Sequence, residues 1–177
     1  MATNSTRLAG TLVTLRDIRP GDVDAIHTFC SDPEVTQWST WGPNSRDQTE
    51  AFVGGAVREA AAGTARNTYT FAVVVKDRVV GTSGVWVSSA ADRTGELGYT
   101  LAKEAWGQGL GTETAGLLLQ HAFGPMELER VEATCAPENT GSIRVLEKNG
   151  FAFEGRLRGH KKVNGRRRDS LLFAALL

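Results

Sequence analysis

Polar and apolar positions change period several times along the chain, and each change marks an element. Residues 11–18, TLVTLRDI, set Leu12, Val13 and Leu15 among polar neighbours and predict a first strand. In RPGDVDAIHTFCSD, Pro20 and Asp22 punctuate a start, and Val23, Ile26 and Phe29 or Cys30 then fall at helical spacing. Residues 33–45 read as irregular, rich in tryptophan and turn formers. A helix is predicted from its cap, Ser45, to Ala62, with Phe52, Val53, Ala56 and Val57 on one side. The stretch TYTFAVVVKDRVVGTSGVWVSS (68–89) is β-branched and aromatic, and Lys76-Asp77-Arg78 breaks it into a hairpin. Residues 95–102 predict a further strand containing Gly98, where a glycine marks either a bulge or a close approach by a ligand. Behind Gly109, Ala115, Leu118, Leu119 and Ala122 recur at i, i+3, i+4 and i+7 and predict a helix with a buried face. A strand at 130–136, a helix at 140–150 and two terminal strands, FAFEGRLRGHKKV and DSLLFAALL, complete the pattern. Hairpin-joined strands followed by strand–helix alternation predict an α/β (α+β) fold, a mixed sheet of six or seven strands with helices on both faces. Repeats and low-complexity linkers are absent, so one domain over 1–177 is expected, with 1–10 as a flexible N-terminal segment.

Composition narrows the classes. A chain of 177 residues, 41% hydrophobic, supports one core of this size and not two. Lys plus Arg is 20 and Asp plus Glu is 20, which removes whole-molecule attraction to nucleic acid or an anionic membrane as the main theme. Cys30 and Cys135 are too few for a disulfide framework and read as small buried thiols. MATNSTRLAG lacks the basic-then-apolar order of a secretion signal, and no segment approaches the ~20 apolar residues of a membrane span. A soluble, cytoplasmic protein with no membrane partner and no metal is the expectation.

Candidate chemistry begins at WGQGLGTETAGLLLQHAF, where glycines stand at 107, 109 and 111 just as a helix starts. A helix N-terminus leaves backbone N–H groups unpaired and carries partial positive charge, and glycines let a phosphate reach them. The stretch is therefore either an anion cradle formed by Gln108, Gly109, Leu110, Gly111 and Thr112, or only a tight strand–helix turn. It is not the dinucleotide fingerprint, because Thr112 replaces the third glycine, and it is not a P-loop, because no Gly-Lys-Ser/Thr follows. In PENTGS, Asn139 and Ser142 lie three apart at the next helix start, which by itself fits a cap.

The stretches ELGYTLAKEAWGQGLGTETA, ENTGSIRVLEKNGFAFEG and NGRRRDSLLFAALL, with SDPEVTQW at 31–38, occur in an order and spacing that resemble the GNAT N-acetyltransferases. More narrowly they resemble the group typified by the RimJ and RimL ribosomal-protein N-terminal acetyltransferases. The resemblance spans nearly the whole chain. The family's loop, Q/R-x-x-G-x-G/A, falls on Trp106–Gly111, with tryptophan departing from the general pattern at the first position. This resemblance implies a GNAT fold, its mostly antiparallel sheet splayed at a cofactor cleft, and acetyl-CoA as cofactor with its pyrophosphate on the N–H groups of 108–112. It implies that the pantetheine arm runs along the backbone of Tyr99, Thr100 and Leu101, one of whose N–H groups, assigned to Leu101, stabilises the oxyanion. It further implies that Asn139 contacts the pantetheine. Ser142 then stands near the sulfur as acid or hydrogen-bond donor, where many family members use a tyrosine.

Glu96, on one strand face with Gly98 and Thr100, is the candidate base, acting directly or through a water. A late glutamate of some members falls near Lys161 here, so that role does not carry over. Trp38 and Trp41 are candidates for the acceptor pocket, because the family places their segment over the cleft. The implied reaction is direct attack of a primary amine on the thioester in a ternary complex, the acceptor being a peptide N-terminus or a small-molecule amine. The basic run Arg156, Arg158, Lys161, Lys162, Arg166, Arg167 and Arg168 reads as a solvated hairpin, or as a dock for an acidic acceptor, RNA or the CoA 3′-phosphate. Arg144 and Lys148 are alternative 3′-phosphate partners, and His160 reads as surface decoration. The rival readings are a non-catalytic acyl-CoA sensor and a ribosome- or RNA-docking module, although nucleic acid is not the expected partner. A homodimer is left open.

Overall fold

The structure is a computed structural model describing residues 5–63 and 66–177. Eight strands form one sheet: β1 (Arg7–Ala9), β2 (Thr14–Asp17), β3 (Thr68–Val75), β4 (Arg78–Ser89), β5 (Thr94–Leu101), β6 (Arg130–Cys135), β7 (Ala152–Val163) and β8 (Arg166–Leu176). Their spatial order is β1-β2-β3-β4-β5-β6-β8-β7. The β5–β6 pair is parallel and every other neighbouring pair antiparallel. The helices are α1 (Val23–Cys30), α2 (Pro33–Thr36), α3 (Arg46–Ala61), α4 (Leu110–Phe123) and α5 (Thr140–Lys148).

Both sheet faces are covered. On one, Leu118 and Ala122 of α4 and Leu146 of α5 bury against Leu15, Phe71, Val85, Val131 and Phe173. On the other, Ile26 and Phe29 of α1 and Val53 and Ala56 of α3 bury against Ala72 and Ala102. The periodicities at 23–30 and 115–122 did their expected work, since Ile26, Phe29, Ala115, Leu118 and Ala122 are all buried. Ser45 caps α3 in a reciprocal box: its Oγ accepts from the Gln48 N–H and its own N–H donates to Gln48 Oε1. Cys30 and Cys135 are free and buried.

Three expectations need correction. The sheet has eight strands, not six or seven, because Arg7–Ala9 pairs antiparallel with Thr14–Arg16 inside the segment expected to be flexible. Residues 1–4 of that segment lie outside the described residues. Besides Leu8, which packs on the core, the edge strand is anchored by charge: the Thr6 N–H donates to Asp17 Oδ2 at 2.7 Å, and Asp17 is ion-paired with the buried Arg66 guanidinium, itself 4.2 Å above the Tyr69 ring. Secondly, the strand expected from residue 11 starts at Thr14. The Glu113 carboxylate accepts from the N–H groups of Thr11, Leu12 and Val13 at 2.8, 2.6 and 2.6 Å, curling them into a turn. Thirdly, the irregular 33–45 segment contains α2, which opens with Pro33 and is capped by Asp32 Oδ1 accepting from Glu34 N–H. Gly98 makes no bulge, since it pairs in register with Gly84; the Trp86 ring lies 3.7 Å from where a Cβ would stand. Among the described residues no helix is long and apolar enough to cross a membrane.

His121 sits in the first core, 5% exposed, edge-on to the Tyr69 ring at 4.4 Å, with neither ring nitrogen hydrogen-bonded among the described residues. Burial, helped by the Arg66 charge, holds its pKa below the ordinary histidine value. The unfolded chain therefore takes up a proton at higher pH than the folded one. The contribution is complete above about pH 6.5 and declines as pH falls below it, by at most about 1.4 kcal/mol per pH unit. Chemical denaturation between about pH 7 and 5 should show this decline in the native protein and a flatter profile in His121→Leu.

Candidate active site

The sheet comes apart beside its parallel pair. Thr94, Gly95 and Glu96 of β5 pair with Arg130, Val131 and Glu132, and the pairing stops there. β6 continues as far as Cys135 bonded only to β8, and β5 continues as far as Leu101 bonded only to β4. Backbone groups alternate sides along a strand, and Ala102 N–H donates to Val80 O at 2.8 Å on the β4 side. By that alternation Thr100 and Gly98 also face β4, whereas Tyr99 and Leu101 face the gap. Of the three backbones expected to line the cofactor, Thr100 is thus committed to its pairing with Thr82. Its side chain lines the cleft on the opposite face. The Leu101 carbonyl is occupied by the Trp106 indole N–H at 2.9 Å, which leaves the Leu101 N–H directed into the gap.

At the mouth of the gap α4 begins. Its cap, Gly109, has φ +80°, the left-handed region that a side chain disfavours, and no side chain caps the helix. The N–H groups of Leu110, Gly111 and Thr112 therefore have no side-chain acceptor, while Gln108 turns its Nε2 back to Glu104 O. Glu113, the acid of this first turn, spends its charge on the N–H groups of residues 11–13. A pyrophosphate fits here: the donors are free, the backbone is bare at 107, 109 and 111, and the nearby carboxylate is already satisfied.

Opposite, α5 starts at Asn139, whose Oδ1 accepts the Ser142 N–H at 3.1 Å, so the cap expected from the spacing is present. The Ser142 hydroxyl accepts a hydrogen bond from the Tyr99 hydroxyl at 3.3 Å. Sequence reasoning used only the Tyr99 backbone and missed its side chain, which no local pattern connects to a residue 43 positions later. Burial is the main cause that pushes the Tyr99 phenol up to about 12, outweighing the Ser142 hydrogen bond. Tyr99 thus keeps its proton and donates, and the Ser142 proton is free to point elsewhere.

The gap opens into one cleft of about 1300 Å³. Its second half lies on the α1/α3 face, where Thr70, Trp86 and Glu96 share a side through the registers Thr68↔Trp86, Thr70↔Gly84 and Trp86↔Glu96. Trp38 and Trp41 line the same half, as expected from their segment. Their loop is held by Arg168, whose guanidinium donates to the carbonyls of Gln37 (3.0 Å), Trp38 (2.6 Å) and Ser39 (3.2 Å). The basic run is accordingly not a bare solvated patch: Arg156 pairs with Asp169 and Arg167 donates to Gly159 O. His160 is half-buried with a buried, unpartnered Nδ1 among the described residues. Burial and Lys161 hold its pKa below the ordinary value, and the Glu96 carboxylate opposes them. It is therefore more than surface decoration. Arg144, Lys148 and Lys161 also line the cleft.

A mixed sheet opened beside its parallel pair, with an anion-ready helix at the opening, is the architecture of an acetyltransferase. The chain belongs to the GNAT acetyltransferase family, residues 13–152 matching the acetyltransferase (GNAT) domain. It is 31% identical over 164 residues to the uncharacterized N-acetyltransferase p20 of Bacillus licheniformis, covering 93% of this chain and 92% of that protein. It is 28% identical over 133 residues to the ribosomal-protein-serine acetyltransferase of Escherichia coli, covering 75% and 73%. Among solved structures it resembles Mycobacterium smegmatis RimJ in complex with CoA-disulfide, with a TM-score of 0.82 and 28% identity over 97% of this chain and 86% of that one.

Replacing Gly109 by alanine should cost about 1 kcal/mol through its left-handed φ, a fall in Tm of about 2–4 °C. The same variant should raise the Kd for CoA, read by titration calorimetry, because the helix start it distorts carries the free N–H groups.

Proposed function

We propose that the protein is an acetyl-CoA-dependent N-acetyltransferase, acting as one domain, that transfers acetyl to a primary amine by direct attack in a ternary complex. The observation that supports this reading is the unpaired stretch of β5 beyond Glu96, which opens onto a single cleft that Glu96, Leu101 and Ser142 all line. Bound acetyl-CoA supplies an activated thioester. The N–H groups of Leu110, Gly111 and Thr112, with the bare backbone at Gln108 and Gly109, hold its pyrophosphate. The Tyr99 and Leu101 backbones, together with Asn139, hold its pantetheine arm. The Leu101 N–H faces the thioester carbonyl and stabilises the negative charge that builds there. Ser142, oriented by the Tyr99 hydroxyl, donates its proton towards the departing sulfur.

Glu96 receives the proton lost by the acceptor ammonium. An α-amine, with a pKa near 8, is about one-tenth neutral at pH 7, so a modest base is enough. The name of the Escherichia coli relative, a ribosomal-protein-serine acetyltransferase, favours a protein acceptor. Direct transfer is further supported by the cleft thiol. Cys135 lines the cleft, but burial pushes its pKa up to about 11, which withholds the thiolate that an acyl-cysteine route would need.

Thiol release from acetyl-CoA with α-amine peptides, lysine-only peptides and small amines tests the reading; CoA binding without turnover of any acceptor would make the protein a sensor instead. Ser142→Ala should lower kcat about a hundredfold with little change in the Kd for CoA. Tyr99→Phe should lose about threefold to tenfold, the worth of one neutral hydrogen bond. Glu96→Gln should be most impaired at neutral pH and should recover as pH rises through about 8, where the acceptor sheds its own proton. A pH-independent defect would remove Glu96 from the role of base.

A further inference from the structure

All four tryptophans of the chain, Trp38, Trp41, Trp86 and Trp106, line the one cleft. Three of them, with Phe52, form the half on the α1/α3 face, and Trp41 and Phe52 are 40% and 38% exposed there. Large aromatic surface left open inside a cleft, rather than scattered over the outside, marks a binding wall. The wall is also built in advance: Arg168 ties three successive carbonyls of the Trp38 loop to β8, and the Glu34–Lys103 ion pair ties α2 to the segment between β5 and α4. Such prior ordering favours rigid apolar partners, because little loop entropy remains to be lost on binding.

The charges in this half are few. Of the residues lining this half Glu96 is the carboxylate and Lys161 the cation, whereas Glu138, Arg144 and Lys148 belong to the start and body of α5 on the far side. Glu59, which does not line it, accepts from the Thr70 hydroxyl at 2.9 Å. A polyamine or aminoglycoside carries several positive charges and needs several carboxylates; here the lining offers one, and a lysine lines the same half. Resting on the function proposed above, we infer that the acceptor is a monoamine whose amine-bearing carbon is linked through one methylene to an aromatic or similarly flat apolar group, with no second positive charge. The amine faces Glu96, and the flat group lies against Trp38, Trp41 and Trp86. Two sources present this chemistry, a free aromatic monoamine and a peptide that begins with an aromatic residue.

The test compares phenethylamine, tryptamine, ethylamine and spermidine, and peptides alike except for phenylalanine, tryptophan, alanine or serine at the first position. Each is assayed for kcat/KM at saturating acetyl-CoA, and those without an indole also for quenching of tryptophan fluorescence with and without CoA. Because every tryptophan lines the cleft, its fluorescence reports occupancy by these ligands. Aromatic acceptors in at least one arm should exceed their small counterparts by about tenfold or more in kcat/KM, mainly through KM. That margin should shrink towards unity in Trp41→Ala, a change at a half-exposed position that leaves the core intact. The better arm identifies the source. Equal or faster turnover of the small counterparts in both arms, or of spermidine, overturns the inference, and so does the absence of turnover with every aromatic acceptor together with no quenching by phenethylamine or the phenylalanine-initiated peptide. Quenching by aromatic monoamines in a protein that ignored acetyl-CoA would uphold the inference and overturn the acetyltransferase mechanism instead.

Discussion

The functional geometry of this molecule depends on two strands that begin as neighbours and then part. β5 and β6 pair at three positions and separate after Glu96–Glu132. A buried strand edge with unpaired backbone donors is costly unless something else satisfies them. Here neither strand is loose: β6 is paired with β8 at six positions, Arg130 to Cys135, and β5 stays in register with β4 to Leu101. The gap is therefore held open from its outer sides, and the Tyr99 and Leu101 backbones are held in extended register facing it rather than fraying. Side chains keep it from closing. The Tyr99 phenol reaches across to Ser142, and the Trp106 indole claims the Leu101 carbonyl from the end of the strand.

The charge arrangement at the opening follows the same logic. An acid in the first turn of a helix stabilises the helix but would repel a phosphate arriving at its end. Glu113 avoids that conflict by binding three N–H groups of the 11–13 turn, which consumes its acceptor capacity and fastens the β1–β2 turn to the α4 start. One carboxylate thus shapes the N-terminal hairpin and leaves the neighbouring amides of Leu110, Gly111 and Thr112 as net donors.

What could be read from the sequence was whatever had a local period or a local cap. The buried face of α4, the Ser45 box on α3 and the Asn139 cap on α5 depend on residues within a turn or two of one another, and the pattern revealed them. The glycines of 107–111 were informative for the same reason. The missed features are long-range. β1 adds to the packing of Leu8 a tie through Asp17 and Arg66, and the late start of β2 depends on a glutamate about a hundred positions away. By parity the Thr100 backbone faces β4 and not the gap, because adjacent residues cannot all face the same edge of a strand. Arg168 stood inside a run of like charges that composition alone reads as solvated. Only the tertiary fold brings carbonyls 129 to 131 residues earlier within its reach.

That arginine also connects the two ends of the chain in function. A guanidinium can satisfy three carbonyls in one plane, whereas a lysine, as a point charge, cannot reproduce the fork. The 37–39 segment carries no regular structure, so its backbone would otherwise depend on water for its acceptors. By taking those carbonyls, β8 fixes the aromatic wall against the same sheet that holds Glu96 and, one strand-face away, the backbone of Leu101. The aromatic wall and the gap beside β5 are then parts of one rigid frame. The positions of the groups that line the cleft are set by strand register on one side and by a single cation on the other, and little of that geometry is left for a ligand to organise.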